Sequence, residues 1–165
     1  MPDALTYLGT LKTLISKLPA WAVRRWYPAT RLAELLYLDI FPRNDSVWIN
    51  FGSSPEVRVQ IEIINLSPFP CEIEQGQLEL MCEGVSVKLR LLQRRRLAPA
   101  EVAIVSLHEA LSDGQAKTIR TNWGGSSTSM YGTIEVASAI NRFTKQVQSL
   151  SGIHVHPANL GRADA

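Results

Sequence analysis

With 165 residues, 45% of them hydrophobic and 19% charged, the chain has the size and mix of one globular domain, able to bury roughly 70% of its unfolded surface without a metal or disulfide framework. A formal charge of +2 is too small to imply a polyanionic partner. Its distribution is uneven, because residues 1–43 hold six basic residues against three acids, a net of +3, whereas residues 44–165 hold eleven against twelve.

Leu8, Leu11, Ile15, Leu18 and Ala22 recur at three- and four-residue spacing opposite Thr10, Lys12, Thr13, Ser16 and Lys17, which predicts an amphipathic helix. Pro19 interrupts it, so residues 20–27, AWAVRRWY, form a second short helix that clusters Trp21, Trp26 and Tyr27 around Arg24 and Arg25. Pro28 precedes a third, over about residues 29–38, presenting Leu32, Leu35 and Leu36. A bilayer span over residues 4–23 is disfavoured by Lys12 and Lys17, each costing about 2.5–3.5 kcal/mol at mid-membrane. Three uses remain for the apolar stripe: packing on the rest of the chain or on a second copy, lying in a membrane interface, or meeting a partner protein. The opening MPDALTYLGTLKTL carries Asp3 where a signal peptide has lysines, and Lys12 breaks its apolar run, so the expected location is cytoplasmic, with peripheral membrane contact through the arm.

From residue 46 the period changes to two. Val47, Ile49 and Phe51 alternate with Trp48 and Asn50, then Val57, Val59, Ile61 and Ile63 with Arg58, Gln60 and Glu62. After the two prolines of residues 67–70, Leu78, Leu80 and Cys82 face one way, Glu83 and Gly84 make a hairpin turn, and Val85, Val87, Leu89 and Leu91 continue the pattern. Lys88 and Arg90 on the outer side are expected to pair with Glu62 or Glu79. Arg94, Arg95 and Arg96 form a solvated rim that protects a sheet edge. VAIVSL suits a strand buried on both faces, and Ser106 to Glu109 has capping-box spacing for a short helix ending near Gly114. A Gly/Ser/Thr-rich loop from Thr121 to Met130, a strand through YGTIEVASAI and a last strand pair in VQSLSGIHVHP follow, with a disordered tail at residues 158–165. About seven short strands without βαβ alternation predict an antiparallel sandwich.

The run V-x-V-x-I-x-I-x-N from Val57 to Asn65, followed by Pro68, Ile73, Leu78, Leu80 and Gly84, resembles the WHy domain (water stress and hypersensitive response) of late-embryogenesis-abundant proteins. Val102 to Leu107, Tyr131 to Val136 and Ser151 to Pro157 look like later strands of that family, with Gly132 and Gly152 as punctuation, so the resemblance covers about residues 47–157. It implies a seven-stranded antiparallel immunoglobulin-like β-sandwich, no enzymatic activity, no cofactor, and a role in stress tolerance or in contacting membranes and proteins. The expected organisation is an amphipathic helical arm at 1–43, the sandwich with one short inserted helix at 44–157, and the tail.

Catalytic constellations are thin. His154 and His156 lie two apart on a strand, but they lack a third ligand at metal spacing, and no nucleophile elbow, Gly-rich phosphate loop or zinc helix motif is present. No catalytic residue, metal, cofactor or nucleic-acid partner is therefore expected. Cys71 and Cys82 leave a disulfide open. The expected contacts are Leu8, Leu11, Lys12, Ile15, Lys17, Leu18, Trp21, Arg24, Arg25 and Trp26, touching an anionic membrane surface or a partner protein, a second copy included. Trp123, in the loop before Tyr131, is either an exposed binding tip or a plug for one end of the sandwich.

Overall fold

The structure, a computed structural model, describes residues 18–42, 46–91, 93–124 and 128–160. Two helices come first, α1 (Ala20–Trp26) and α2 (Ala29–Glu34), each behind an extended proline, Pro19 or Pro28, whose fixed φ suits a helix start. Strands β1 (Leu36–Ile40), β2 (Val47–Asn50), β3 (Glu56–Asn65), β4 (Cys71–Cys82), β5 (Val85–Leu91), β6 (Arg95–Leu97) and β7 (Val102–Ala110) follow. Helix α3 (Asp113–Thr121) and strands β8 (Thr128–Ser138), β9 (Arg142–Ile153) and β10 (Val155–Ala158) complete the order.

The strands form a mainly β sandwich of two five-stranded sheets. In the first, β7 takes one side of β3 along nearly its whole length, so β1 and β2 share the other side end to end, with β10 beyond β2. In the second, β8 takes one side of β4, β6 and β5 share the other, and β9 lies outside β8. The inward set Val57, Val59, Ile61 and Ile63 faces Ile73, Leu78, Leu80, Leu89, Ile134 and Val136 across one continuous core. The alternation read in the sequence is thus the pleat of half-buried strands.

Several expectations are corrected. Residues 36–40 are a strand and not the end of a third helix, since Leu36 to Ile40 pair with Asn65 to Ile61, and the sandwich therefore begins inside the stretch assigned to the arm. Among the described residues ten strands replace seven, and the sheets are not wholly antiparallel, because β10 crosses to the first sheet and pairs parallel with β2 instead of with β9. The Ser106–Glu109 capping-box spacing lies within β7, where nine backbone pairs with β3 outweigh a local helix signal. The working capping box is Ser112 with Gln115, at the start of α3. Nor is β7 buried on both faces: Val102 and Ile104 are 51% and 55% exposed. Lys88 pairs across strands with Glu79, and Glu62 lies in the other sheet.

At the end of the sandwich where β3 passes to β4, buried Asn65 ties three segments together. Its amide nitrogen donates to the carbonyls of Phe69 (2.8 Å), Leu97 (3.3 Å) and Ala98 (3.1 Å), and its oxygen accepts from the Ser67 backbone N–H (3.1 Å) and hydroxyl (2.7 Å). A loop crossing between sheets has no ladder to satisfy its backbone, and one side chain supplies the missing partners.

Cys71 and Cys82 open and close β4, about 35 Å apart in an extended strand, and both are free and buried. Burial, assisted by the charge of Glu101, pushes the Cys71 thiol up to about 11, and burial also raises Cys82. A disulfide reagent at pH 8 is expected to leave both thiols untouched in the native protein and to titrate two per chain in denaturant; rapid native reaction would contradict this packing. The same shift carries a pH signature. Because the folded thiol keeps its proton while the unfolded one ionises near pH 8.5, the unfolded state binds fewer protons, and Cys71 makes stability fall as pH rises from about 8.5 towards 11.

Candidate interaction surfaces

Of the ten arm residues, Leu8, Leu11, Lys12, Ile15 and Lys17 lie outside the described residues. The other five divide between inside and outside. Leu18 is half-buried against a small apolar cluster of Val23, Leu32 and Phe69, with Tyr27, Ile140 and Phe143 at its border. Trp21 and Trp26, by contrast, are 71% and 56% exposed, with Arg24 and Arg25 exposed between them.

This division follows from how α1 and α2 are fastened. Val23 points into the sandwich, so Trp21, Arg24 and Arg25 of the same short helix point away, while Trp26, three residues on from Val23, lies beside the buried side and is still exposed. Tyr27 meets the Phe69 ring edge-on at 5.1 Å, and the Arg31 guanidinium covers the Tyr27 ring at 5.1 Å. Asn141 donates to the Tyr27 carbonyl (3.2 Å) and Lys145 to that of Ala33 (2.8 Å). Burial lowers the Lys145 pKa, against the opposing pull of Glu34. Residues 18–34 are therefore fixed to the sandwich while their aromatic and basic side chains face solvent.

Trp123 and Tyr131 do not share a surface. Trp123 is half-buried at the opposite end of the sandwich from Asn65, its ring edge-on to Phe51 at 5.7 Å. Gly124 N–H donates to the Glu83 carboxylate of the β4–β5 hairpin (2.9 Å), and Arg120 donates to the Phe51 carbonyl (2.7 Å). The Trp123 ring therefore turns inward against the core. Helix α3 runs on to Thr121, past the expected helix end near Gly114, and leads into the turn that carries Trp123. Tyr131 stands on the outer face of the second sheet beside Glu79, above a shallow 540 Å³ hollow that Gln77, Lys88, Arg90 and Thr133 also line. Hydrogen bonds from Ser86 and then Tyr131 lower the Glu79 pKa, and the bond to Glu79 raises that of Tyr131.

Among the described residues no three His, Cys, Asp or Glu side chains converge as metal ligands, and no helix is long and apolar enough to cross a membrane. His154 sits between β9 and β10, and His156 on β10. One surface escaped the sequence reading altogether. Cross-strand pairing sets His156, Trp48, Arg58 and His108 in a row over the outer face of the first sheet. An aromatic at a polar-face position of β2 was its signal.

No family model matches the chain, and no curated protein matches it. Solved structures do. A structural-genomics target protein, SoR45, aligns with a TM-score of 0.50 at 12% identity, over 73% of this chain and 87% of that one. What is shared is the fold. A protein from Bordetella pertussis assigned as ApaA aligns at 14% identity and a TM-score of 0.45, over 73% of this chain and 89% of that one. A protein assigned as late-embryogenesis-abundant aligns at 11% identity and a TM-score of 0.43, over 94% of this chain and 91% of its own.

Proposed function

We propose that the chain is a non-catalytic, WHy-like interaction module with a stress-protective role, held at an anionic membrane surface by its basic N-terminal arm. The observation that carries this reading is the outward face of α1, where two exposed tryptophans bracket two exposed arginines on a helix whose other side is locked into the sandwich. Tryptophan favours the boundary between lipid headgroups and acyl chains, and each arginine near an anionic surface contributes about 1 kcal/mol. A helix already pinned by Val23 and Tyr27 loses little further entropy on docking.

Sedimentation with phosphatidylglycerol-containing vesicles at low salt tests it. The protein is expected in the pellet, and replacing Arg24 and Arg25 together with alanine is expected to lower partitioning roughly 30-fold at about 1 kcal/mol per charge. Equal recovery in the supernatant with and without lipid would refute it. A second reading, an assembly module, draws on the fact that residues 18–34 already pack on protein. Under it the face of Trp21 and Trp26 meets a second copy or another protein, and sedimentation velocity would show an oligomer that Trp21→Ala dissociates while vesicles leave the protein unbound.

A further inference from the structure

We propose that the outer face of the first sheet, centred on Trp48, is a binding site for a neutral oligosaccharide. This goes beyond the membrane reading, because the site lies on the sandwich face formed by β7, β3, β2 and β10, whereas the arm packs against β9 of the other sheet. The two can fail separately.

Register builds the site. Trp48 pairs directly with Arg58 on one side and His156 on the other, and Arg58 with His108, so these four side chains rise from the same face. The Trp48 ring lies 5.5 Å from His156, tilted by 32°, and remains 47% exposed. Two hollows flank it along the strand direction, and Trp48 and Arg58 line both. One, of 260 Å³, extends towards Asn50, Glu56 and Asn159; the other, of 390 Å³, extends towards Gln60 and Pro42.

The chemistry of the lining selects the ligand. A pyranose ring has an apolar C–H face that stacks on indole and a rim of hydroxyls that both donate and accept. Around Trp48 stand Asn50, Asn159 and Gln60, planar amides that offer both functions, together with the Glu56–Arg58 pair at 3.8 Å. Asn159 donates to Asn50 at 2.8 Å, and Asn50 also accepts from the Gly52 N–H at 3.1 Å, so the Asn50 amide is held in place before any ligand arrives. The charge balance disfavours an anion. Arg58 faces Glu56 and donates to His108 at 3.3 Å, so a phosphate brought to this arginine would also meet the Glu56 carboxylate. A single-strand nucleic-acid platform couples stacking to a basic groove, which this face lacks among the described residues. Hollows on two sides of one aromatic fit at least two consecutive sugar rings.

Native affinity electrophoresis of the full chain through gels containing mixed-linkage β-glucan, xylan, galactomannan or soluble starch tests the proposal. Retardation is expected in at least one gel, with titration calorimetry then run on the corresponding hexasaccharide. Trp48→Ala is expected to weaken that binding at least about tenfold, as for a central tryptophan anchor. Asn50→Ala and Gln60→Ala are expected to weaken it severalfold and read the same site should Trp48→Ala fail to fold. Trp21→Ala, on the arm and away from this face, is expected to leave it unchanged. Migration unaffected by all four polysaccharides overturns the proposal, as does unaltered binding by folded Trp48→Ala. Retention only by heparin or single-stranded DNA, lost at about 0.5 M salt, would also overturn it in favour of a polyanion.

Discussion

Replacing Asn65 with alanine is expected to lower the melting temperature by about 6–12 °C. The side chain is buried and donates to three carbonyls, those of Phe69, Leu97 and Ala98, while accepting from Ser67. Truncation leaves these groups without partners where water has poor access, at a cost of about 3 kcal/mol in all, and a domain of this size loses about 2–4 °C per kcal/mol. Asn65→Asp sharpens the test, because it keeps the shape. A carboxylate there would face three carbonyl oxygens with no proton to give, so the isosteric variant is expected to be at least as unstable as the alanine variant. Thermal denaturation followed by circular dichroism measures both. An Asn65→Asp protein melting within about 2 °C of the parent would show that packing, and not the donated hydrogen bonds, holds this end of the sandwich together.

The second large effect is expected at Gly132. Its backbone sits at φ 147°, and a Cβ there would lie 2.2 Å from the Gln77 carbonyl oxygen and 2.8 Å from the Leu78 Cα. Both obstacles are backbone of the neighbouring strand, so no side chain can swing aside. Gly132→Ala must push β8 from β4 near the register shift between Met130 and Gly132, at a cost of about 3–5 kcal/mol from strain and lost pairing together. Much of the protein is expected to be insoluble, and the soluble fraction to unfold at clearly lower urea. Gly114→Ala is the control. Nothing lies within 4 Å of its Cβ position and it sits in helix α3, so this variant is expected to be neutral or stabilised by up to about 1 kcal/mol. A Gly132→Ala protein with the parent's urea midpoint would mean that the strands can separate there without penalty.

These two positions also show how much was legible in the chain alone. Both carry the family resemblance as an asparagine ending an alternating run and a glycine following Tyr131, yet only contacts 32 and 33 residues away from Asn65, and the β4 backbone over Gly132, explain why those residue types are needed. The outward Trp–Arg face of α1 was half legible. Composition marked Trp21, Arg24, Arg25 and Trp26 as a group, but Val23 burying itself beside Leu32 and Phe69 decided which way that group points. Trp48 read only as an outward strand residue, because its neighbours Arg58, His108 and His156 are delivered by three other strands.

By itself, the amino-acid order determined the strands from Val47 to Leu91, the Glu83–Gly84 turn and the helix start behind Pro19, because a two-residue period, a positive φ and a fixed proline φ are local properties. Tertiary structure alone decided that β10 joins the first sheet in parallel, that residues 106–109 pair as strand, that Leu36–Ile40 belong to the sandwich, and that Trp123 turns inward to Phe51. Each of these depends on which distant strand or ring completes the contact. A hydrogen-bond ladder of nine pairs or a buried aromatic edge outweighs the few tenths of a kcal/mol by which a local segment prefers one conformation to another.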